Sequence, residues 1–171
     1  MNNKYKTPIA DSDLLVASHV RWKLKLSVAI ANNETLDVAT IAKDDCCVLG
    51  KWLHGADTHS RISHLQSYSE CLEKHAVFHL EAGKVAELVN AREYDNAQQL
   101  LDNEVSDFNH ASDNVVSSIF KLEKDANAFE LNTKRRIVAT FFDDDWRSET
   151  RPTKLKLSTL SSLNYPCSPL R

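Results

Sequence analysis

The segment HAVFH, residues 75–79, places two imidazoles four positions apart. On a helix that spacing turns both rings toward one face, the arrangement a single metal ion asks of its ligands. A third histidine, His19, falls on the apolar stripe of an earlier segment, in register with Leu15, Trp22, Leu26 and Ile30. An imidazole facing a core needs a partner for each ring nitrogen, and a metal supplies one. Cys47, in the stretch CCVLGKW, offers a thiolate from a separate part of the chain. One sulfur beside three imidazoles closes a tetrahedron that zinc favours, so the candidate ligands are His19, Cys47, His75 and His79, and the candidate ion is Zn²⁺. Gly50 is expected to let backbone come close to another helix, and Trp52 to roof the site against water.

Other chemistries of paired histidines fit less well. Zinc hydrolases use H-E-x-x-H, with the glutamate as general base and one coordination position left for water. Here position 76 is alanine, and four protein ligands would leave no open position. A di-iron bundle needs repeated inward Glu-x-x-His pairs, and only ECLEKH hints at one. Neither a Ser/His/Asp set nor a phosphate-binding glycine loop is visible, so a non-enzymatic role is expected. Cys46 is expected to be a neighbour of the site rather than a ligand. Cys71, one helical turn before His75, reads as a small core residue that could also resolve an oxidised Cys47. His54, His59, His64 and His110 are expected at the surface, His64 lying nearest to a stripe.

These side chains must be held by helices. The four prolines, Pro8, Pro152, Pro166 and Pro169, leave residues 9–151 free of the strongest helix breaker, and glycine occurs only three times. Asp11 or Ser12 can cap a first long helix through about residue 30. A polar break, ANNETLD, and a short apolar piece, VATIA, lead to a short helix bearing the Cys-x-x-Gly-x-Trp motif, which Gly55 closes. From Asp57 to about Asn90, Ile62, Leu65, Leu72, Ala76, His79, Ala86 and Val89 keep a helical stripe. After the turn signal REYDN, Leu101, Val105, Phe108, Val115, Ile119, Leu122 and Phe129 form another. The fold expected is all-α and four-helix-bundle-like: three long helices plus the short one, with a loosely structured C-terminal tail. Its domain is residues 1–131; the tail, 132–171, is expected to be helical at its start and disordered through STLSSLNYPCSPLR.

Charge separates the same two parts. Residues 1–131 carry 13 Lys and Arg against 20 Asp and Glu, a balance of −7, whereas residues 132–171 carry 8 against 4, a balance of +4. An acidic body lacks the footprint of a nucleic-acid binder, although the basic KRR at 134–136 could contact something acidic if it is more than a solvated helix end. No stretch approaches the ~18 apolar residues of a membrane span, and the polar start lacks the core of a signal peptide. A cytoplasmic location is therefore expected, with Cys46, Cys47, Cys71 and Cys167 as free thiols or ligands.

HVRW, then CVLGKW, then HAVFH resembles the signature of the chemoreceptor zinc-binding (CZB) family: His-x-x-aromatic, Cys-x-aliphatic-Gly-x-aromatic, His-x-x-x-His. Twenty-eight positions separate His19 from Cys47 and 28 separate Cys47 from His75. The resemblance covers roughly residues 10–130. It implies a small helical bundle, often dimeric, holding one zinc through His19, Cys47, His75 and His79. It also implies a sensory or regulatory role in bacterial signalling, of the chemotaxis or cyclic-di-GMP type, reporting zinc or oxidants to a chemoreceptor or diguanylate cyclase partner. No cyclase signature and no long heptad array stand in this sequence, so the output is expected in a partner or a neighbouring domain. The tail after Asn132 matches nothing in the family.

Two alternatives stay open. Zinc could be only a structural clamp in a dimerising or adaptor bundle, or the inward histidines could be hydrogen-bonded core residues without a metal. If zinc binds, some carboxylate or carbonyl should orient the histidines. Occupancy should fall with acidity, first through histidines near their usual pKa of ~6.5.

Overall fold

The computed structural model describes residues 11–148, except for the side chains of 141–148. Among the described residues there are seven α-helices and no strand: α1 (Ser12–Ala31), α2 (Val38–Ile41), α3 (Val48–Leu53), α4 (Ala56–Ile62), α5 (Gln66–Asn90), α6 (Tyr94–Asp102) and α7 (Asp107–Ser148). The chain divides into two compact units, Met1–Asn132 and Thr133–Arg171. The first unit is a helical bundle, as the stripes predict. Cys167 and the stretch expected to be disordered lie outside the described residues.

The first three helices each begin where a side chain satisfies a free backbone N–H group. Asp11, not Ser12, caps α1, accepting from the amides of Asp13 and Leu14, and Asp37 caps α2 through the amide of Thr40. The two later helices anticipated as continuous are each interrupted. Residues 63–65 separate α4 from α5, and residues 103–106 separate α6 from α7. Val105, expected on a stripe, sits in the second break and is exposed, and Phe129 is also largely exposed. At that break the Ser106 hydroxyl accepts from the amide of Asn109, while Asn109 Nδ2 donates to the carbonyls of Leu101 and Asn103. Beyond Asn132 the helix runs on to Ser148 with no glycine or proline to stop it.

α5 is the central helix, packing against α1, α2 and α6. Its inner face carries Tyr68, Cys71, Phe78, Ala82, Val85, Ala86 and Val89, each nearly or wholly buried. α1 adds Leu15 and Leu26, and α7 adds Phe108, Val115, Ile119 and Leu122. Burying one such large apolar side chain contributes about 1.5–3 kcal/mol, so this face holds the bundle together. Rim contacts fix its register: Lys121 Nζ lies 2.6 Å from Glu70 Oε2, and Lys23 Nζ donates to Asn109 Oδ1 at 3.2 Å. Small residues let the backbone close in where α2 meets α5, where a Cβ on Gly83 would stand 3.1 Å from that of Ala42.

Candidate metal centre

His75 and His79 project from the middle of α5 and are both fully buried. Their rings stand nearly perpendicular, with centroids 4.6 Å apart. Cys47 arrives from the other side as the N-cap of α3, where its sulfur accepts from the Gly50 amide at 3.2 Å. That sulfur lies 3.3 Å from His75 Nε2. One donor atom from each of Cys47, His75 and His79 lies within 4.8 Å of the others. Adjacent ligands around a tetrahedral zinc, with Zn–S near 2.3 Å and Zn–N near 2.0–2.1 Å, stand about 3.5 Å apart, so the sulfur and ring nitrogen are already near that spacing.

The protonation of the rings supports the same reading. His79 Nδ1 meets the Ile41 carbonyl at 2.6 Å, and a carbonyl only accepts, so the proton resides on Nδ1. The lone pair is thereby left on Nε2, buried and without a hydrogen-bond partner. A backbone carbonyl holding the far nitrogen of an imidazole is the arrangement by which ligand histidines are usually oriented. His75 Nδ1 and His19 Nδ1 are likewise buried without partners. Such orphaned atoms are costly in a core unless something pairs with them, and a cation fits a pocket of ring lone pairs and one sulfur.

The structure brings three of the four predicted ligands together and places His19 beside them. Its ring is buried on α1, 6.5 Å centroid to centroid from His75, outside the three-donor cluster. His19 Nε2 lies 3.2 Å from the Ser112 hydroxyl, and the ring meets Phe78 edge-on at 4.3 Å. Cys46 is exposed, its thiol donating to Asp45 at 3.2 Å, and Cys71 is buried in the core. His54, His59, His64 and His110 are all exposed.

One expectation about the surrounding motif is corrected. Gly50 does bring backbone close, but to the loop before it and not to another helix: a Cβ there would lie 1.8 Å from the Asp44 carbonyl oxygen. Of the tryptophans, Trp22 meets a site histidine, edge-on to His79 at 5.4 Å, and Trp52 is half-buried against the core. Gly55 follows α3 but keeps a negative φ and serves as the N-cap of α4.

Burial sets the electrostatics. Desolvation, then the neighbouring His79, lowers the pKa of His19 to about 4, and desolvation followed by His79 and His19 lowers that of His75 to about 3. His79 is lowered for the same first reason, partly offset by the Ile41 carbonyl. All three rings are thus neutral at pH 7, and they compete with protons at a lower pH than the usual ~6.5 suggests. Burial pushes the Cys47 thiol upward, against the pull of the Gly50 and Leu49 amides. One residue not singled out from the sequence belongs here. The Asp44 carboxylate favours the positive form of His75 and His79 and opposes ionisation of Cys47, and it meets His54 Nε2 at 2.9 Å. Its position beside the thiol pair, in DDCC, is the one sequence signal that could have marked it.

Residues 19–86 match the family model of the chemoreceptor zinc-binding domain. This stretch belongs to the chemoreceptor zinc-binding domain family. The matched residues run from His19 past His79 and include all of α2 to α4. No curated protein and no solved structure matches the chain. The zinc-binding domain is a regulatory family and not a known catalytic one, and zinc is the ion its buried Cys47, His75 and His79 cluster suits. Among the described residues no helix is long and apolar enough to cross a membrane.

Proposed function

We propose that the chain is a non-enzymatic zinc sensor or regulator of bacterial signalling, with His19, Cys47, His75 and His79 as the four ligands. The observation that carries this reading is the convergence of the Cys47 sulfur with two buried imidazoles on α5, each with one ring nitrogen that has no hydrogen-bond partner. His19 joins as the fourth ligand through its unpartnered Nδ1, while Nε2 keeps the Ser112 hydroxyl as its anchor. Bound zinc would hold the thiol as a thiolate, which its buried surroundings otherwise oppose.

Cys47 is then the oxidant-reactive group. Hypochlorous acid takes two electrons from the thiolate sulfur, forming an S–OH bond and releasing chloride, and the site loses its only anionic donor. The consequence falls on the loop and short helix around Cys47, whose hold on α5 loosens for a partner to read. That partner is a signalling protein of the chemoreceptor or diguanylate cyclase type, the location is cytoplasmic, and the working form is two copies of the chain. Residues 1–131 act as the sensing domain and 132–171 as an appended tail.

A second reading, zinc as a structural clamp, draws support from the complete burial of His75 and His79. Chelator competition against zinc, followed with helix content, separates the two. A sensor releases zinc near cellular free levels and stays helical, whereas a clamp unfolds as it releases. Total zinc-finger affinities of about 10–16 kcal/mol, shared among four ligands, put one ligand at about 3 kcal/mol, so Cys47→Ser should weaken zinc binding roughly a hundredfold. Unchanged zinc stoichiometry and oxidant response in Cys47→Ser would end the proposal.

A further inference from the structure

α1 is apolar on two sides, and the bundle covers only one of them. Its inner side carries Leu15, Leu26 and Ala29 into the core. On the opposite side Ala17, Val20, Leu24, Val28 and Ala31 follow at spacings of three, four, four and three, which keeps them on one helical face. All five are exposed, Val20 at 53%, Leu24 at 65% and Val28 at 45%. Leu24 and Val28 also line a groove of about 440 Å³, together with Trp22, Leu26, Leu36 and Ile41, which has room for a large apolar side chain.

Charge marks what the face fits. Arg21 and Lys25, four positions apart, run along one edge of the stripe and Lys23 along the other. No carboxylate stands between Asp13 and Glu34, in a domain whose balance is −7. Lys25 Nζ sits 4.6 Å over the Trp22 ring at the groove, and Lys23 Nζ donates to Asn109 Oδ1. One carboxylate, Glu34, also lines the groove, and it accepts from Asn32 Nδ2 at 2.9 Å. The α1 of a second copy, centred on the same Leu24, would set these cations against one another in either direction, so like charge opposes that occupant. We infer that the outer face of α1 docks an amphipathic helix of a partner protein, its apolar stripe along Val20, Leu24 and Val28, one large apolar side chain in the groove, and its flanking carboxylates facing Arg21 and Lys25. A helix laid in a groove through apolar anchors three and four positions apart is a recurring way for one protein to read another. The groove reaches the metal centre through two residues. Trp22 meets His79 edge-on at 5.4 Å, and the Ile41 carbonyl accepts from His79 Nδ1 at 2.6 Å. An occupant that shifts either one moves a candidate zinc ligand, and zinc in turn biases the occupant. The inference rests on the signalling reading above and deepens it by naming the surface a partner reads and the chemistry of that partner.

Calorimetric titration of the full zinc-loaded chain with a synthetic helix tests it. The probe is a peptide of about 18 residues with leucines spaced three and four apart and glutamates on both sides of them; the control peptide has lysines in place of the glutamates. The acidic peptide should bind, more weakly as salt rises, and the basic one should not. Arg21→Glu with Lys25→Glu should weaken the acidic peptide at least about tenfold and let the basic one bind, with zinc content and helix content unchanged because both positions are exposed. Leu24→Ser should weaken the acidic peptide likewise. Removing zinc with a chelator should change that peptide's affinity about fivefold or more. Equal binding of both peptides, or binding of neither, overturns the docking face. So does a self-association of the wild-type chain that Leu24→Ser abolishes in sedimentation, since a second copy then covers the face. Affinity that ignores zinc overturns the link to His79, whereas a chain that binds the acidic peptide but no zinc overturns the zinc reading and leaves the face standing.

Discussion

The two sides of the metal centre are built differently. His75 and His79 sit at the middle of the 25-residue α5, fully buried, His79 against Phe78, with His19 on the 20-residue α1 beside them. Cys47 comes from a loop and a six-residue helix, α3, secured locally by one amide-to-sulfur bond, a close glycine contact and a rim pair between Asp44 and His54. The imidazole wall draws on the core of the bundle, whereas the sulfur depends on a short segment with few backbone hydrogen bonds of its own. Local opening favours segments of the second kind, so a change of chemistry at the sulfur can move the segment without unfolding the wall.

Acid gives the largest expected effect on the wall. In the metal-free protein the folded pKa values of His19 and His75 are about 4 and about 3, below the ~6.5 of an unfolded chain. The unfolded state therefore binds protons first as pH falls, and stability, fully present above about pH 6.5, declines from there toward about pH 3. Two rings together should lose on the order of 5 kcal/mol by about pH 4.5, as read by urea unfolding of the zinc-free chain. A flat profile over that interval would mean that the rings are not held in a dry core.

Phe78→Ala comes next, since Phe78 is 1% exposed and meets His19, His79 and Phe108. Truncation should cost about 3 to 5 kcal/mol with or without zinc, because it leaves a cavity in the face that aligns the rings. Denaturant midpoints measured in chelator and in zinc should fall together. A loss confined to the zinc-loaded form would place the weakness in the short segment instead.

The sulfur side answers to Gly50→Ala. The added Cβ would overlap the Asp44 carbonyl, and backbone yields less easily than a side chain, so the Asp44–Cys47 loop must shift. Stability should drop by about 1–3 kcal/mol, and zinc affinity by more than the histidine wall alone would suggest, since the donor on the displaced loop is Cys47. Calorimetric zinc titration checks this, and affinity equal to wild type would show that the loop is not what sets the sulfur.

How much of this was legible in the chain follows from the same contrast. The candidate ligand types and their spacing stand in the sequence, because His75 and His79 share a helix face and His19 interrupts an apolar stripe. The breaks at 63–65 and 103–106 did not show, because three or four residues are about one helical turn, and the apolar rhythm from Ile62 to Leu65 and from Leu101 to Phe108 passes through them in phase. The groups that orient the rings, the Ile41 carbonyl and the Ser112 hydroxyl, come from 38 and 93 positions away. Only the folded packing brings them in, and no local pattern marks them. Asp44 was hidden because an exposed-looking acidic pair before two cysteines reads as an ordinary turn.

Asp44→Asn sharpens the comparison with the smallest expected change. Its carboxylate is partly solvated and pairs with His54 at the rim, so the pair itself should contribute no more than about 1 kcal/mol. The substitution keeps the side chain's shape and leaves the Gly50 contact, which involves the Asp44 backbone, in place. It removes a negative charge that opposes ionisation of the Cys47 thiol and supports the positive forms of His75 and His79. The thiol should therefore ionise at lower pH in the metal-free chain, and alkylation of Cys47 should quicken by a few-fold near neutrality, because the thiolate is the nucleophile. Mass spectrometry resolving Cys47 from the exposed Cys46 reads this directly. An unchanged Cys47 rate alongside a faster Cys46 would show that Asp44 acts on the loop surface and not on the buried sulfur, and would shift the control of that side of the site to the backbone around Gly50.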